Sequence, residues 1–201
     1  MSRLDPTPSQ TVGPFFGYAL PFAGGPDAAP IGHPQAITVH GCVYDGAGDP
    51  IPDALLEFWQ AAPDGSPGGA PGSVRRDQTN GAVLGRDHVR FTGFARVPTD
   101  ADGRYAIHTL FPGRIGRSAP YLSVCVFARG LLHHLFTRVY FADFAEANAT
   151  DPLLCALDAD RRATLVAHRE PRLGHRFDVR LQRHEGGGDA GVETVFLEFA
   201  G

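Results

Sequence analysis

The chain has 201 residues, 43% apolar and 20% charged, with a mean hydropathy of -0.13. This excludes a disordered or fibrous protein and leaves one domain with a sizeable core. A net charge of -4 and a pI near 6.1 give no electrostatic case for nucleic acid or an anionic membrane as partner.

Residues 1–36 are rich in Pro and Gly and lack sustained periodicity, yet they carry Phe15, Phe16, Tyr18 and Phe22. Exposed rings cost solubility, so this stretch reads as an ordered arm, packed on a partner chain or on its own domain. From residue 37 to 201 a mainly β domain is expected, because Gly and Pro punctuate short alternating segments. ITVHGCVY (37–44) alternates with a period of two and reads as a strand; DGAGDPIPD is a turn, and ALLEFWQA (54–61) is a second strand holding the single Trp59. Residues 61–90 read as one long irregular connection, a length that usually serves function or covers a neighbour. GFARV, the turn TDADG and RYAIHTL are expected to form a hairpin, followed by two long strands, SAPYLSVCVFA and LLHHLFTRVYF, around Arg129–Gly130. DPLLCALDADRRATLVAHRE (151–170) is the best helical stretch, and HRFDVRLQR and VETVFLEF supply two last strands. Short strands in such number, with little helix, predict a β-sandwich with an extended N-terminal arm and short helices.

Cys42, Cys125 and Cys155 form no CxxC pair, and two of them lie in apolar strand patterns, so they read as small buried hydrophobes. With no signal-peptide core in MSRLDPTPSQ and no long apolar run, a soluble, reducing, cytoplasmic setting is expected. His133 and His134 are adjacent on an expected strand and point to opposite faces, so together they cannot hold one ion. No pair of histidines is spaced i, i+2, and His168, His175 and His184 are too dispersed to form a cluster. There is no Gly-x-Ser-x-Gly elbow and no phosphate-cradling glycine motif, and Asp100, Asp102, Asp158 and Asp160 read as turn residues. Arg129 ends a very apolar strand in FARG, where its guanidinium must bond loop carbonyls or face an aqueous cavity as an anion-attracting group.

Five segments in order, TPSQTVGPFF (7–16), GCVYDGAGDPIPDALLEFWQA (41–61), GFARVPTDADGRYAIHTLFPG (93–113), VFARGLLHHLFTRVYFAD (126–143) and ETVFLEF (193–199), resemble the intradiol ring-cleavage dioxygenases. The resemblance implies the sandwich fold of that family and a non-haem Fe(III) held by two tyrosines and a His-x-His pair. In this sequence the tyrosine positions fall at Pro67 and Ile115, and the histidine positions at Tyr121 and Ser123. Proline and isoleucine have no donor atom and serine is a poor one, so the resemblance implies an iron-free chain of a hetero-oligomer whose beta chain carries the metal. That pair is expected to cleave 3,4-dihydroxybenzoate with O2 to 3-carboxy-cis,cis-muconate. Thr11, Gly13, Pro14, Phe15 and Arg129 are the positions implied to line the active site across the interface. Alternatives are a purely structural subunit of the same complex, an autonomous iron enzyme with unusual ligands, and a carbohydrate- or protein-binding sandwich.

Overall fold

The computed structural model describes residues 13, 15–67, 74–86, 88–182 and 191–198. Its strands are β1 (Ile37–Tyr44), β2 (Leu55–Gln60), β3 (Val74–Arg76), β4 (Val83–Arg86), β5 (Phe94–Pro98), β6 (Arg104–Thr109), β7 (Tyr121–Phe127), β8 (Leu135–Phe141), β9 (Val166–Glu170), β10 (Gly174–Arg176) and β11 (Val179–Arg180). Four short helices, α1 (Phe16–Ala19), α2 (Ala145–Asn148), α3 (Pro152–Ala156) and α4 (Ala159–Ala163), decorate them.

Nine strands form one curled sheet in the order β11-β1-β10-β9-β8-β7-β2-β5, with β6 on β1; β3 and β4 pair apart from it. The curl makes two leaves: β6, β1, β11, β10 and β9 in one, and β5, β2, β7 and β8 in the other. They join where β8 runs parallel to β9 over Tyr140–Val166 and Phe141–Ala167. Alternation drives the closure. Val39 and Val43 of β1 and Ile107 of β6 turn inward to meet Leu56 and Phe58 of β2 and Leu122, Val124 and Val126 of β7 in a single core. Phe58 and Tyr105 touch across the leaves with ring centroids 5.6 Å apart. Each such side chain contributes about 1.5–3 kcal/mol by leaving water, which makes the inward rows the main source of stability. Gly41 is required by crowding: a Cβ there would lie 1.9 Å from the carbonyl oxygen of Phe177.

Several expectations are corrected. β5 and β6 flank the TDADG turn but do not pair; β5 bonds β2 and β6 bonds β1, so the turn carries the chain between leaves. The stretch 151–170 is not one helix. α3 ends at Ala156, Asp158 caps a separate α4 by accepting from the Arg161 amide, and 166–170 is β9, drawn into extended form by β8. The long connection 61–90 contains the β3–β4 pair, and 193–198 forms no strand, only an isolated bridge from Leu197 to Phe136 beside scattered hydrogen bonds such as the Thr194 amide to the Arg180 carbonyl. His133 and His134 precede β8 in a bend; His134 packs edge-on against Phe136, with centroids 4.7 Å apart.

Part of the arm lies on its own domain. Arg96 donates to the Leu20 carbonyl, its guanidinium and that of Arg86 lie over the Phe22 ring at 5.7 and 5.4 Å, and the Ala28 amide donates to His108. Among the described residues no helix is long and apolar enough to cross a membrane.

Candidate functional site

Pro67, Ile115, Tyr121 and Ser123, distant in sequence, converge on one pocket of about 70 Å³ together with Trp59, Gln60 and Ala61. Register explains part of this. Ser123 sits directly opposite Trp59 on β2 and Arg138 on β8, so the three share the outer face of their leaf. Glycine explains the rest. A Cβ on Gly113 would meet Gly65 N at 2.3 Å and the Pro63 carbonyl oxygen at 2.6 Å, and the Gly113 amide donates to Ala62. That close approach brings the loop bearing Pro67 against the loop bearing Ile115. Gln60 anchors the floor, donating to the Leu110 carbonyl and accepting from the Thr109 hydroxyl.

Charge lies behind the pocket. The Arg138 guanidinium stacks over Tyr121, 4.1 Å from the ring centroid, and donates to the Tyr140 hydroxyl at 3.2 Å. Tyr140 in turn donates to the buried carboxylate of Asp151, which caps α3 through the Leu153 and Leu154 amides and also accepts from Ala119 N. Burial pushes the Tyr140 phenol up to about 12, against the opposing pull of Arg138. Buried Asp151 is thus satisfied by four donors, with a cation one hydroxyl away.

The donor set does not fit a ferric ion. Proline and isoleucine offer nothing, a serine hydroxyl is a weak ligand, and the remaining phenol of Tyr121 lies under a guanidinium. Among the described residues no cluster of three or more His, Cys, Asp or Glu side chains has metal-binding geometry.

Arg129 is elsewhere. It follows β7 at the end opposite Tyr121, and the strand between spans roughly 20 Å at ~3.3 Å per residue. Its partner is a carboxylate rather than a loop carbonyl: Arg129 Nε donates to Asp53 Oδ2 at 2.7 Å, and the side chain is 71% exposed. Nothing in FARG announces Asp53, which lies 76 residues away.

Thr11 and Pro14 lie outside the described residues. Gly13 has a left-handed φ of 73°, and a Cβ there would meet nothing within 4 Å, so within its own chain the glycine serves backbone conformation rather than close approach. Phe15 and Tyr18 flank the buried Phe16 and are 78% and 87% exposed. Elsewhere, burial and the neighbouring Glu57 charge push the Cys125 thiol up to about 12, so it is no nucleophile at neutral pH.

A family model described as Dioxygenase matches residues 14–183. The chain is 45% identical to a protocatechuate 3,4-dioxygenase alpha chain of Burkholderia cepacia, covering 98% of this chain and 100% of that one. It is 36% identical to a protein of the same description from Pseudomonas putida, over 98% of each. Among solved structures, the dioxygenase domain of a dioxygenase carbohydrate-binding protein fusion from Streptomyces sp. SirexAA-E aligns with a TM-score of 0.56 at 27% identity, over 89% of this chain and 99% of that one. An intradiol ring-cleavage dioxygenase from Tetranychus urticae shares the fold, with a TM-score of 0.57 at 15% identity over 90% of this chain and 98% of that one.

Proposed function

The chain belongs to the intradiol ring-cleavage dioxygenases, an iron-dependent family, and from that membership we propose that it is the iron-free alpha-type subunit of a two-chain enzyme. With a beta chain it acts on 3,4-dihydroxybenzoate (protocatechuate) and O2, opening the ring between the hydroxyl-bearing carbons to give 3-carboxy-cis,cis-muconate. The observation that carries the division of labour is the single pocket shared by Pro67, Ile115, Tyr121 and Ser123. Two of these side chains have no donor atom, which supports placing the ferric ion on the beta chain.

This chain's contribution is to the walls and charge of its partner's site. Residues 1–36 form an arm that reaches the partner, while 37–201 form the sandwich. Thr11, Gly13, Pro14 and Phe15 line the substrate channel. The exposed Phe15 and Tyr18 rings support this, since apolar rings at a chain's edge are ordinarily covered in an assembly. Arg129, exposed at a strand end, supplies positive potential for the substrate carboxylate, an effect that salt screens. Free cysteines at 42, 125 and 155 support a reducing, cytoplasmic setting.

A purely structural subunit is the second reading, favoured by the Asp53 carboxylate that already occupies one edge of Arg129. Co-expression with a candidate beta chain tests the first. The expected result is co-purification, stoichiometric iron in the pair and O2 uptake with 3,4-dihydroxybenzoate. This chain isolated alone with red-brown iron and ring-cleaving activity would overturn it.

A further inference from the structure

Asp53 closes the turn before β2, and Arg129 follows β7; the two strands pair with Leu55 opposite Phe127, which brings the side chains together. Nε and Nη2 of Arg129 both approach the same oxygen, Asp53 Oδ2, at 2.7 and 2.5 Å. A guanidinium carries five N–H donors in a planar fork, so this contact occupies its side edge alone. The end edge, formed by Nη1 and the second proton of Nη2, has no partner among the described residues, and the side chain is 71% exposed while Asp53 is 26% exposed.

We propose that Asp53 is a positioning residue: it fixes the plane of the Arg129 guanidinium so that the free end edge donates two parallel hydrogen bonds to the carboxylate of the aromatic acid. The inference rests on the reading of Arg129 given above and adds a residue and a geometry to it. An unrestrained surface arginine would lose rotamer freedom when it clamped the substrate; one already held by a short turn has less to lose. Asp53 also has an opposing effect, since its charge repels the incoming carboxylate. At this exposure water screens that repulsion, while the directional bonds of the fork keep their geometry, so orientation outweighs it. The pair therefore makes this end of the chain selective for catechols that carry a carboxylate.

The test uses the assembled two-chain enzyme with Asp53→Ala, Asp53→Asn and Arg129→Ala in this chain. It reads kcat and KM for 3,4-dihydroxybenzoate and the inhibition constant of catechol, which lacks the carboxylate. Asp53→Ala is expected to raise KM roughly five- to tenfold with kcat and the catechol constant unchanged, and Asp53→Asn, which retains an acceptor oxygen, to restore most of the loss. If Arg129→Ala raises KM but Asp53→Ala leaves it unchanged or lowers it, Asp53 is only a counter-ion and the proposal is overturned. A parallel rise for both ligands marks a structural effect and overturns it as well. If neither variant moves KM, Arg129 does not meet the carboxylate, and the underlying reading falls with the proposal.

Discussion

At the start of β7, Tyr121 and Ser123 border a small pocket walled by Trp59, Pro67 and Ile115; past its end, Arg129 stands exposed against Asp53. The first region is held by features that have nothing to do with donor atoms. Glycines set the loop approach, Gln60 pins the floor, and Asp151 and Tyr140 brace the rear. Its walls are therefore set by backbone approach and buried polar bonds, whatever side chains face the space. The second region has little beneath it and depends on one ion pair, so its chemistry is open to single substitutions. Packing preserves a shape, and exposure leaves a charge adjustable.

The largest expected effect lies under the pocket. Asp151→Ala strands four donors, three backbone amides and the Tyr140 hydroxyl, and should cost on the order of 4 kcal/mol in urea unfolding. A loss below about 1 kcal/mol would mean that water replaces the carboxylate freely and that the pocket's brace is weak. At the other end Arg129→Ala should leave folding intact and lower kcat/KM of the assembled enzyme about tenfold at low ionic strength, with the deficit shrinking as salt is added. An unchanged value at low salt rules out its role. Returning to the pocket, Tyr121→Leu removes the ring beneath Arg138 and should destabilise by about 1 kcal/mol. If urea unfolding shows no change, the stack is incidental.

A last effect concerns alkaline pH. Burial raises the Cys125 thiol from its ordinary 9.0, and the Tyr140 phenol from 10.0, to about 12 each. Above pH ~9 the unfolded chain has begun to release protons that the native chain still holds, so stability falls as pH rises towards 12. The urea midpoint should drop across that window, and Cys125→Ala should flatten the lower part of the fall. A midpoint constant from pH 9 to pH 12 would contradict both shifts.

How much of this was legible in the sequence depends on the range of the interaction. The period-two segments at 37–44, 55–60, 121–127 and 135–141 are strands because alternation is a local property that the core then uses. The TDADG turn is equally local, and the Asp100 side chain bonds the amides of Asp102 and Arg104 as an Asx turn does. Turn chemistry does not say which neighbours its strands take, so the expected hairpin failed. VAHRE carries helix-compatible spacing, but pairing with β8 decides its state, and that partner lies about 26 residues upstream, beyond any local pattern. His133 and His134 looked extended because apolar residues flank them. Gly130, with a φ of 89°, and the bend after it delay the strand to Leu135. At the site, the four positions that face the small pocket were picked out by family resemblance alone, since no donor pattern exists there to be read directly. The Asp53–Arg129 pair was not legible, because it depends on the β2–β7 register.

The mutual approach of Gly65 and Gly113 has an engineering consequence. Backbone alone sets the separation of the two loops, so side chains of other chemistry can be installed at 67, 115, 121 and 123 without rebuilding the scaffold, provided both glycines stay. What a designer of a metal site there would have to change first is the Arg138 guanidinium stacked on Tyr121, because a cation beside the ring opposes a second one in the pocket.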